Sequence, residues 1–271
     1  MHENIKVAII GMGFVGSAIY ESFKIKGIES SVFDKYKNGG IGSLDKCFKS
    51  DLIFLALPTL FNKETKKYEK GGIYETCELL TKNKYSGVVI IKSTVEPNSI
   101  LELEEGFPLL KFIHNPEFLT SRTAFDDFHN QKHIILGRGN RINDSDFNRV
   151  CDFYKRLYPD AELSCSSATE SESIKIFLNC FYSIKVQFFT ELYLLCQKNG
   201  TDFNKIRDIM LKNNWINKMH TTVPGPDGNI SYGGLCFPKD TNALYYYMME
   251  NDVPCKVLEA CIRERDEMRS D

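Results

Sequence analysis

A thiol, two glycines and a helix start stand together in YGGLCFPKD, Tyr232 to Asp240. A structural cysteine normally lies among apolar neighbours. Cys236 instead follows Gly233 and Gly234 and precedes Pro238, Lys239 and Asp240. The two glycines remove side-chain bulk, so a substrate can approach closely. Pro238 suits the first turn of a helix, where its missing N–H leaves nothing unbonded. Cys236 is therefore expected just before a helix N-terminus. The partial positive charge there, with the neighbouring Lys239, favours a thiolate and hence a nucleophile.

A second group of residues is suited to holding phosphate. KVAIIGMGFVG sets Gly11, Gly13 and Gly16 directly after a strand-like run, with Phe14 and Val15 leading into a helix. Gly11 permits the tight turn, Gly13 lets the backbone approach a pyrophosphate, and Gly16 lets the helix pack close to the sheet. The exposed N–H groups and the helix dipole stabilise phosphate charge. Asp34 ends the next strand-like run, where a carboxylate can accept hydrogen bonds from a ribose diol. Its charge repels a 2′-phosphate, so NAD is expected over NADP, although Lys35 and Lys37 stand nearby.

A third group lies at strand ends. KSTVEPN follows the run GVVII and brings Ser93 and Thr94 to a carboxyl strand end, where open α/β sheets bind ligands. HNPEFL follows KFI and adds Glu117 to the same rim. Lys175 and Asn179 are four residues apart in a long helical segment and so share one helix face.

The rest of the chain has to position these groups. Short apolar runs (KVAII, SSVF, DLIFLAL, GVVIIKS, KFIH, HIILG) alternate with helical patterns at 15–24, 72–82 and 98–105. Near-continuous apolar runs are those of strands buried on both faces, and the alternation is that of βαβ units. A helix at 144–157 and the short run AELSC follow. From Ala168 to Asn199 neither proline nor glycine interrupts a helical segment, along which Phe177, Phe181, Ile184, Phe188, Leu192 and Leu195 form one apolar stripe. That stripe is expected to be core or dimer interface, pointing away from Lys175 and Asn179. Further helices are expected at 202–213, 238–250 and 254–268, and the charged stretch NKETKKYEK (62–70) as a solvated loop. The expected fold is α/β: a Rossmann-type, doubly wound parallel sheet over 1–167, then an all-helical domain over 168–271 built on the long helix.

Bulk composition narrows the function. With 42% hydrophobic residues among 271, the chain can build a sizeable core, and a net charge of −2 recruits neither nucleic acid nor an anionic membrane. No apolar run approaches the ~20 residues of a membrane span, and MHENIKVAII carries no signal-peptide pattern. Nine cysteines without a CxxC pair argue against a disulfide framework and for the reducing cytoplasm. The five histidines are scattered, and no metal site is expected.

Taken together, the motifs resemble those of the UDP-glucose/GDP-mannose dehydrogenase family. They are GMGFVG (Gly11 to Gly16), LPT (Leu57 to Thr59), STVEP (Ser93 to Pro97), NPEFL (Asn115 to Leu119), ESIKIFLN (Glu172 to Asn179) and YGGLCFPKD, in the family's order over nearly the whole chain. The resemblance implies NAD-dependent oxidation of the C6 alcohol of a nucleotide sugar to a carboxylate. A first hydride transfer gives an aldehyde, Cys236 captures it as a thiohemiacetal, a second transfer gives a thioester, and water releases the acid. By the same resemblance, Lys175 stabilises the oxyanion and Asn179 helps to position it. Glu117 and Asp240 manage protons and the hydrolytic water, with the choice of base between them open, and Thr94 holds that water or the carboxylate. NAD contacts are implied at Gly11, Gly13, Phe14, Val15, Gly16, Asp34, Pro58, Thr59, Ser93 and Thr94. Substrate contacts are implied at Glu117, Phe118, Leu119, Lys175, Asn179, Tyr232, Gly233 and Gly234.

Two departures stand out. NPEFL continues as TSRTA, where the family usually has a polar, glycine-containing segment, so substrate contacts there are expected to differ. Family members usually carry a third, C-terminal domain that grips the nucleotide, and the expectation is a short form without it, working as a homodimer through the helix at 168–199. Two other functions stay open: a two-electron hydroxy-acid dehydrogenase, which needs no thiol, and an NAD-binding regulatory or assembly subunit.

Overall fold

A computed structural model describes residues 5–270. Its elements run, in chain order, β1 (Val7–Ile10), α1 (Phe14–Ile25), β2 (Ser30–Asp34), β3 (Ile41–Gly42), α2 (Leu44–Cys47), β4 (Leu52–Leu55), β5 (Phe61–Asn62) and β6 (Lys67–Tyr68). There follow α3 (Gly71–Lys82), β7 (Val88–Ile91), α4 (Ser99–Gly106), β8 (Lys111–His114), α5 (Ala124–His129), β9 (His133–Arg138), α6 (Asp144–Leu157) and β10 (Glu162–Ser167). Four helices close the chain: α7 (Ala168–Asn199), α8 (Phe203–Leu211), α9 (Phe237–Glu250) and α10 (Lys256–Met268). The chain divides into two compact units, Met1–Leu60 with Tyr68–Lys175, and Phe61–Lys67 with Ile176–Asp271.

The first unit is a Rossmann-like sheet of eight strands in the order β10-β9-β8-β7-β4-β1-β2-β3. Most neighbours are parallel, as expected of a doubly wound sheet, and β2–β3 and β8–β9 are antiparallel. For β2–β3 the reason is reach: residues 35–40 are too few to make the crossover that a parallel neighbour needs. Strand alternation splits the core in two. Val7, Ile9, Leu52, Phe54, Val88 and Ile90 face one side, against Ala18, Ile19 and Phe23 of α1 and Phe147, Val150 and Phe153 of α6. Ala8, Ile10, Ile53, Leu55, Val89 and Ile91 face the other, against Ile73 and Leu80 of α3 and Ile100 and Leu103 of α4. Helices on both faces explain why the strands read as unbroken apolar runs.

In the second unit α7 buries a different face from the one its apolar stripe suggests. Phe177, Phe181, Phe188 and Leu195 are each at least half exposed, so they are not core within the chain. From Ile176 onward the buried positions are Ile176, Asn179, Cys180, Ser183, Gln187, Phe189, Thr190 and Cys196, half of them polar. Their polar groups are bonded. Ser183 donates to the Asn179 carbonyl (2.8 Å), Gln187 donates to Glu264 (2.9 Å), and Thr190 Oγ1 accepts from the Ser231 N–H (3.0 Å). Buried polar groups are tolerated when paired in this way.

The stretch expected as a solvated loop forms the β5–β6 hairpin, with Asn62 Oδ1 accepting from the N–H groups of Glu64 (2.8 Å) and Thr65 (3.0 Å). Within the second unit Phe61 stacks on Tyr246 at 6.0 Å, the Lys66 ammonium lies 4.9 Å from that ring, and Lys67 pairs with Glu250 at 3.1 Å. Strands of two residues are too short to show periodicity, and so is the six-residue α5, which the sequence does not signal.

Candidate active site

Gly11 has φ +93°, and a Cβ on it would lie 2.4 Å from the Ala56 carbonyl oxygen. A Cβ on Gly16 would lie 1.8 Å from the Gly11 carbonyl oxygen. Both positions need glycine to let β1, the turn and α1 pack. Gly13 differs: it caps α1 without a side-chain cap bond, and nothing lies within 4 Å of where its Cβ would be. Its hydrogen-bonding edge and the start of α1 therefore border open space that a pyrophosphate can fill. Phe14 is exposed and Val15 partly so.

Asp34 shapes this loop. Its Oδ2 accepts from the Met12 N–H (2.7 Å), and its Oδ1 from the N–H groups of Tyr36 (2.9 Å) and Lys37 (2.8 Å). Burial pushes the carboxyl upward, but the bonds from Lys37, Met12 and Tyr36, with the Lys37 charge, outweigh it and hold the group below the ordinary aspartate value. A carboxylate offers about four acceptor positions, so Oδ2 keeps one for a ribose hydroxyl. The Lys37 ammonium is tied to the Met12 carbonyl and to Ser17 Oγ (3.1 Å).

The rim at the ends of β4, β7 and β8 is bonded across. Ser93 Oγ donates to the Leu57 carbonyl (2.7 Å) and accepts from the Leu57 N–H (3.1 Å). Thr59 Oγ1 donates to the Thr94 carbonyl (2.6 Å). Pro58 is exposed and Thr94 partly so, so the LPT turn and the Thr94 side chain border solvent.

Glu117 carries a partner that the sequence reading did not single out. The Lys92 ammonium lies 2.9 Å from Glu117 Oε2, with the lysine side chain 1% and the glutamate 11% exposed. Lys92 also donates to Asn115 Oδ1 (2.7 Å), which takes the Tyr154 hydroxyl as well, while Asn115 Nδ2 donates to the Ile135 carbonyl (2.7 Å). Burial pulls Lys92 below the ordinary lysine value, and Glu117 opposes that. The one signal available in the sequence was a lysine closing an otherwise apolar strand run.

Lys175 is buried in the first unit, its ammonium 4.9 Å from the centroid of the exposed Phe118 ring. The turn before it is anchored. Glu172 accepts from the N–H groups of Asn98 and Ile100 (both 2.7 Å), and Ser171 Oγ meets His114 Nδ1 at 2.8 Å. Burial drives His114 down to about 3, with the Lys92 and Lys175 charges adding to the fall against a bond to the Ser93 backbone, so it is a neutral imidazole near two cations. Leu119 is partly buried, packed against the core under α1.

In the second unit Cys236 is exposed and forms the N-cap of α9, with Pro238 in the first turn. Asp240 is fully buried: Oδ2 accepts from Asn179 Nδ2 (2.6 Å), and Oδ1 pairs with the Lys239 ammonium (2.6 Å). Cys180 donates to the Asp240 carbonyl at 3.4 Å, and burial raises that thiol far above the ordinary value. The glycines before Cys236 have separate reasons. A Cβ on Gly233 would meet the Arg269 guanidinium at 2.2 Å, so this glycine makes room for Arg269. Gly234 has φ +79° and open space around it, as substrate clearance requires. Tyr232 is buried, its hydroxyl 3.5 Å from Thr241 Oγ1. His220, in an irregular loop, stacks with Tyr182 (4.7 Å) and Phe237 (5.5 Å). Among the described residues no group of three or more His, Cys, Asp or Glu could hold a metal ion, and no helix is long and apolar enough to cross a membrane.

Comparison with known proteins bears on this arrangement. The sequence model described as UDP-glucose/GDP-mannose dehydrogenase family, NAD binding domain, matches residues 42–158, and that of the family's central domain matches residues 169–266. The glycine turn at Gly11–Gly16 lies outside both spans, so its reading rests on its own geometry. A UDP-glucose 6-dehydrogenase of Rickettsia bellii is 29% identical over 229 residues, which are 82% of this chain and 50% of that protein. The chain thus spans about half the length of such curated relatives. Among solved structures, a UDP-glucose dehydrogenase from Pyrobaculum islandicum superposes with TM-score 0.82 at 20% identity, over 97% of this chain and 68% of that one. A 3-hydroxyisobutyrate dehydrogenase from Mycobacterium tuberculosis superposes with TM-score 0.74 at 12% identity, over 97% of this chain and 93% of that one. At these identities the two structures speak for the fold.

Proposed function

Because the chain belongs to the UDP-glucose/GDP-mannose dehydrogenase family, we propose that it oxidises the C6 alcohol of a nucleotide sugar to the carboxylate in two NAD-dependent steps. The observation that carries this reading is Cys236, an exposed thiol at the start of α9 beside a buried, doubly bonded Asp240. NAD, when bound, accepts a hydride from C6 in each oxidation. The glycine turn at Gly11, Gly13 and Gly16 and the carboxylate of Asp34 hold it, with Pro58, Thr59, Ser93 and Thr94 along its path.

In the first oxidation Glu117 takes the hydroxyl proton as the hydride leaves, giving the aldehyde. The Cys236 thiolate then adds to the aldehyde carbon, and the new oxyanion is stabilised by Lys175 and Asn179. Loss of the second hydride from this thiohemiacetal, with the hydroxyl proton passing to a base, leaves the thioester. Water, polarised by Glu117 and held near Thr94, attacks it, and the acid leaves as Cys236 recovers its thiol. Asp240 is the less suitable base, because both of its oxygens are already engaged and it is fully buried. It serves instead to hold Asn179 and Lys239. Phe118 and Leu119 of the first unit and Gly234 of the second are the further sugar contacts this reading calls for, whereas the Tyr232 side chain is buried. The exposed Phe177, Phe181, Phe188 and Leu195 support a homodimer through α7, since monomers rarely leave such patches open. Nine free cysteines support a reducing compartment, the cytoplasm.

The test is NADH formed per sugar consumed, with UDP-glucose, GDP-mannose and free hexoses. Two NADH per sugar are expected, and Cys236→Ser should lower acid formation by about 10³-fold or more. Full acid production by that variant rejects the thioester route. One NADH per substrate, with a small hydroxy acid preferred, would favour the second reading, a two-electron dehydrogenase, which the superposition on nearly the whole 3-hydroxyisobutyrate dehydrogenase supports as a fold. Binding of NAD without turnover would favour a regulatory subunit.

A further inference from the structure

Lys92 has no assigned part in the chemistry above, yet its surroundings are unusual for a lysine. It follows the last residue of β7, one residue before Ser93, and its side chain is 1% exposed. An ammonium removed from water needs close compensation. Here the compensation comes from the charge of Glu117, whose Oε2 lies 2.9 Å away, and from Asn115 Oδ1, which accepts a hydrogen bond at 2.7 Å, with the Phe128 ring centroid 5.6 Å away. Asn115 is itself fixed, by the Tyr154 hydroxyl on the same oxygen and by the Ile135 carbonyl on its amide. The chain of contacts therefore runs from α6 and β9 through Asn115 and Lys92 to one oxygen of Glu117. Among the described residues Glu117 Oε1 has only a long bond from the Phe118 N–H (3.3 Å).

Stability does not account for such a pair. Replacing a buried ion pair by apolar side chains is often neutral or stabilising, whereas removing one partner leaves a costly lone charge. A carboxylate that must face a reacting group in one orientation does account for it, because a close ion pair holds the carboxylate in one rotamer.

We infer that Lys92 is a positioning residue, which acts on the reaction only through Glu117 by clamping one carboxylate oxygen so that the other faces the substrate. This rests on the role proposed for Glu117. The groups around the pair are His114 and Asn115 of the β8 end, Phe128 of α5, Tyr154 of α6, and Lys175 of α7, whose charge reaches His114. Among them Glu117 brings the charge that acts on Lys92, since His114 is neutral and burial raises Tyr154 well above its ordinary value.

A kinetic cycle on the full chain separates action through Glu117 from an independent role. NADH formation from NAD and UDP-glucose is measured for wild type, Lys92→Met, Glu117→Gln and the double variant, with folding checked by thermal melts. Glu117→Gln should be slower by about a hundredfold, in the range general-base loss produces. Lys92→Met should lower kcat with little change in the Kd for NAD. The double variant, which leaves no lone buried charge, should match Glu117→Gln within about twofold. A double variant about tenfold slower than Glu117→Gln, or a Lys92→Met enzyme at wild-type speed, overturns the inference. Wild-type speed in Glu117→Gln overturns the role of Glu117 itself, and the inference with it.

A second measurement needs neither turnover nor the Lys92→Met protein. Side-chain ¹⁵N NMR of lysines should show a slowly exchanging ammonium in the wild type whose loss with rising pH moves to lower pH in Glu117→Gln, because burial pulls Lys92 down and Glu117 holds it up. An ammonium spectrum unchanged by Glu117→Gln would show that the two groups are not coupled, and would end the proposal.

Discussion

In the sheet unit β1, β4 and β7 send Ile9, Phe54 and Ile90 to one face and Ile10, Leu55 and Ile91 to the other. In the second unit α7 buries Asn179, Ser183, Gln187 and Thr190 and leaves Phe177, Phe181 and Phe188 outside. The difference lies in what covers each element. A central strand with helices over both faces has no exposed side, so apolar residues are forced at every position. A helix has a face for each neighbour, and periodicity says how wide the apolar stripe is without saying which neighbour covers it. The two units also hold their candidate chemistry differently. The sheet unit holds it at strand ends, fixed by backbone bonds and one buried ion pair, and the helical unit at a helix N-terminus, beside a carboxylate fixed from two sides.

The largest effect expected from this contrast is at the glycine turn. Gly16→Ala forces a Cβ to within 1.8 Å of the Gly11 carbonyl oxygen and should destabilise the chain by about 3 kcal/mol, the upper range for overpacking. Gly13→Ala meets nothing within 4 Å and should melt within a few degrees of wild type, yet bind NAD about tenfold more weakly or worse. Thermal melts with calorimetric NAD titrations read both. A Gly13→Ala protein with unchanged NAD affinity would break the assignment of the open face to pyrophosphate.

Next in size is the comparison within α7. Gln187→Leu strips partners from Ser231 and Glu264 and should cost about 2 kcal/mol, as expected when buried polar groups lose their bonds. Phe181→Ser, at an exposed position, should change the stability of the isolated chain by no more than about 0.5 kcal/mol. Denaturant unfolding measures both, and light scattering on Phe181→Ser reads mass. Loss of a dimer there would assign the stripe to an interface. A large stability loss in a protein that is monomeric throughout would mean that the stripe packs within the chain.

The last comparison is a pH slope. His114 titrates near 6.5 when unfolded and is pushed down to about 3 when folded. The unfolded chain therefore binds the extra proton between those values. The stability that neutral His114 contributes is complete above pH 6.5 and is lost as pH falls toward about 3. Wild type should lose up to about 1.4 kcal/mol per pH unit more than His114→Gln in that window. Parallel stability curves for the two proteins between pH 6.5 and 5 would show that His114 is not buried in neutral form.

Much of the site was legible in residue order because its parts are short and local. A glycine turn after a strand, an acid at the end of the next strand, and a cysteine before a proline at a helix start are each set by a few neighbouring backbone angles. The same holds for the strands of the sheet, whose apolar runs reflect burial on both faces. What residue order could not supply was any contact between distant segments. Lys92 meets Glu117 across 25 residues, and Asn179 meets Asp240 across 61, because adjoining strand ends and packed helices bring them together. Arg269 meets Gly233 across 36 residues, a neighbour that residue order does not show. Which face of α7 is inside depends on Ser231 and Glu264 reaching Gln187, and which carboxylate keeps an oxygen free depends on who else bonds to it. Local sequence sets backbone conformation through sterics and hydrogen bonds a few residues apart. Partners for buried charges are chosen only when the chain has packed, since desolvation acts on whatever groups the fold brings within bonding distance.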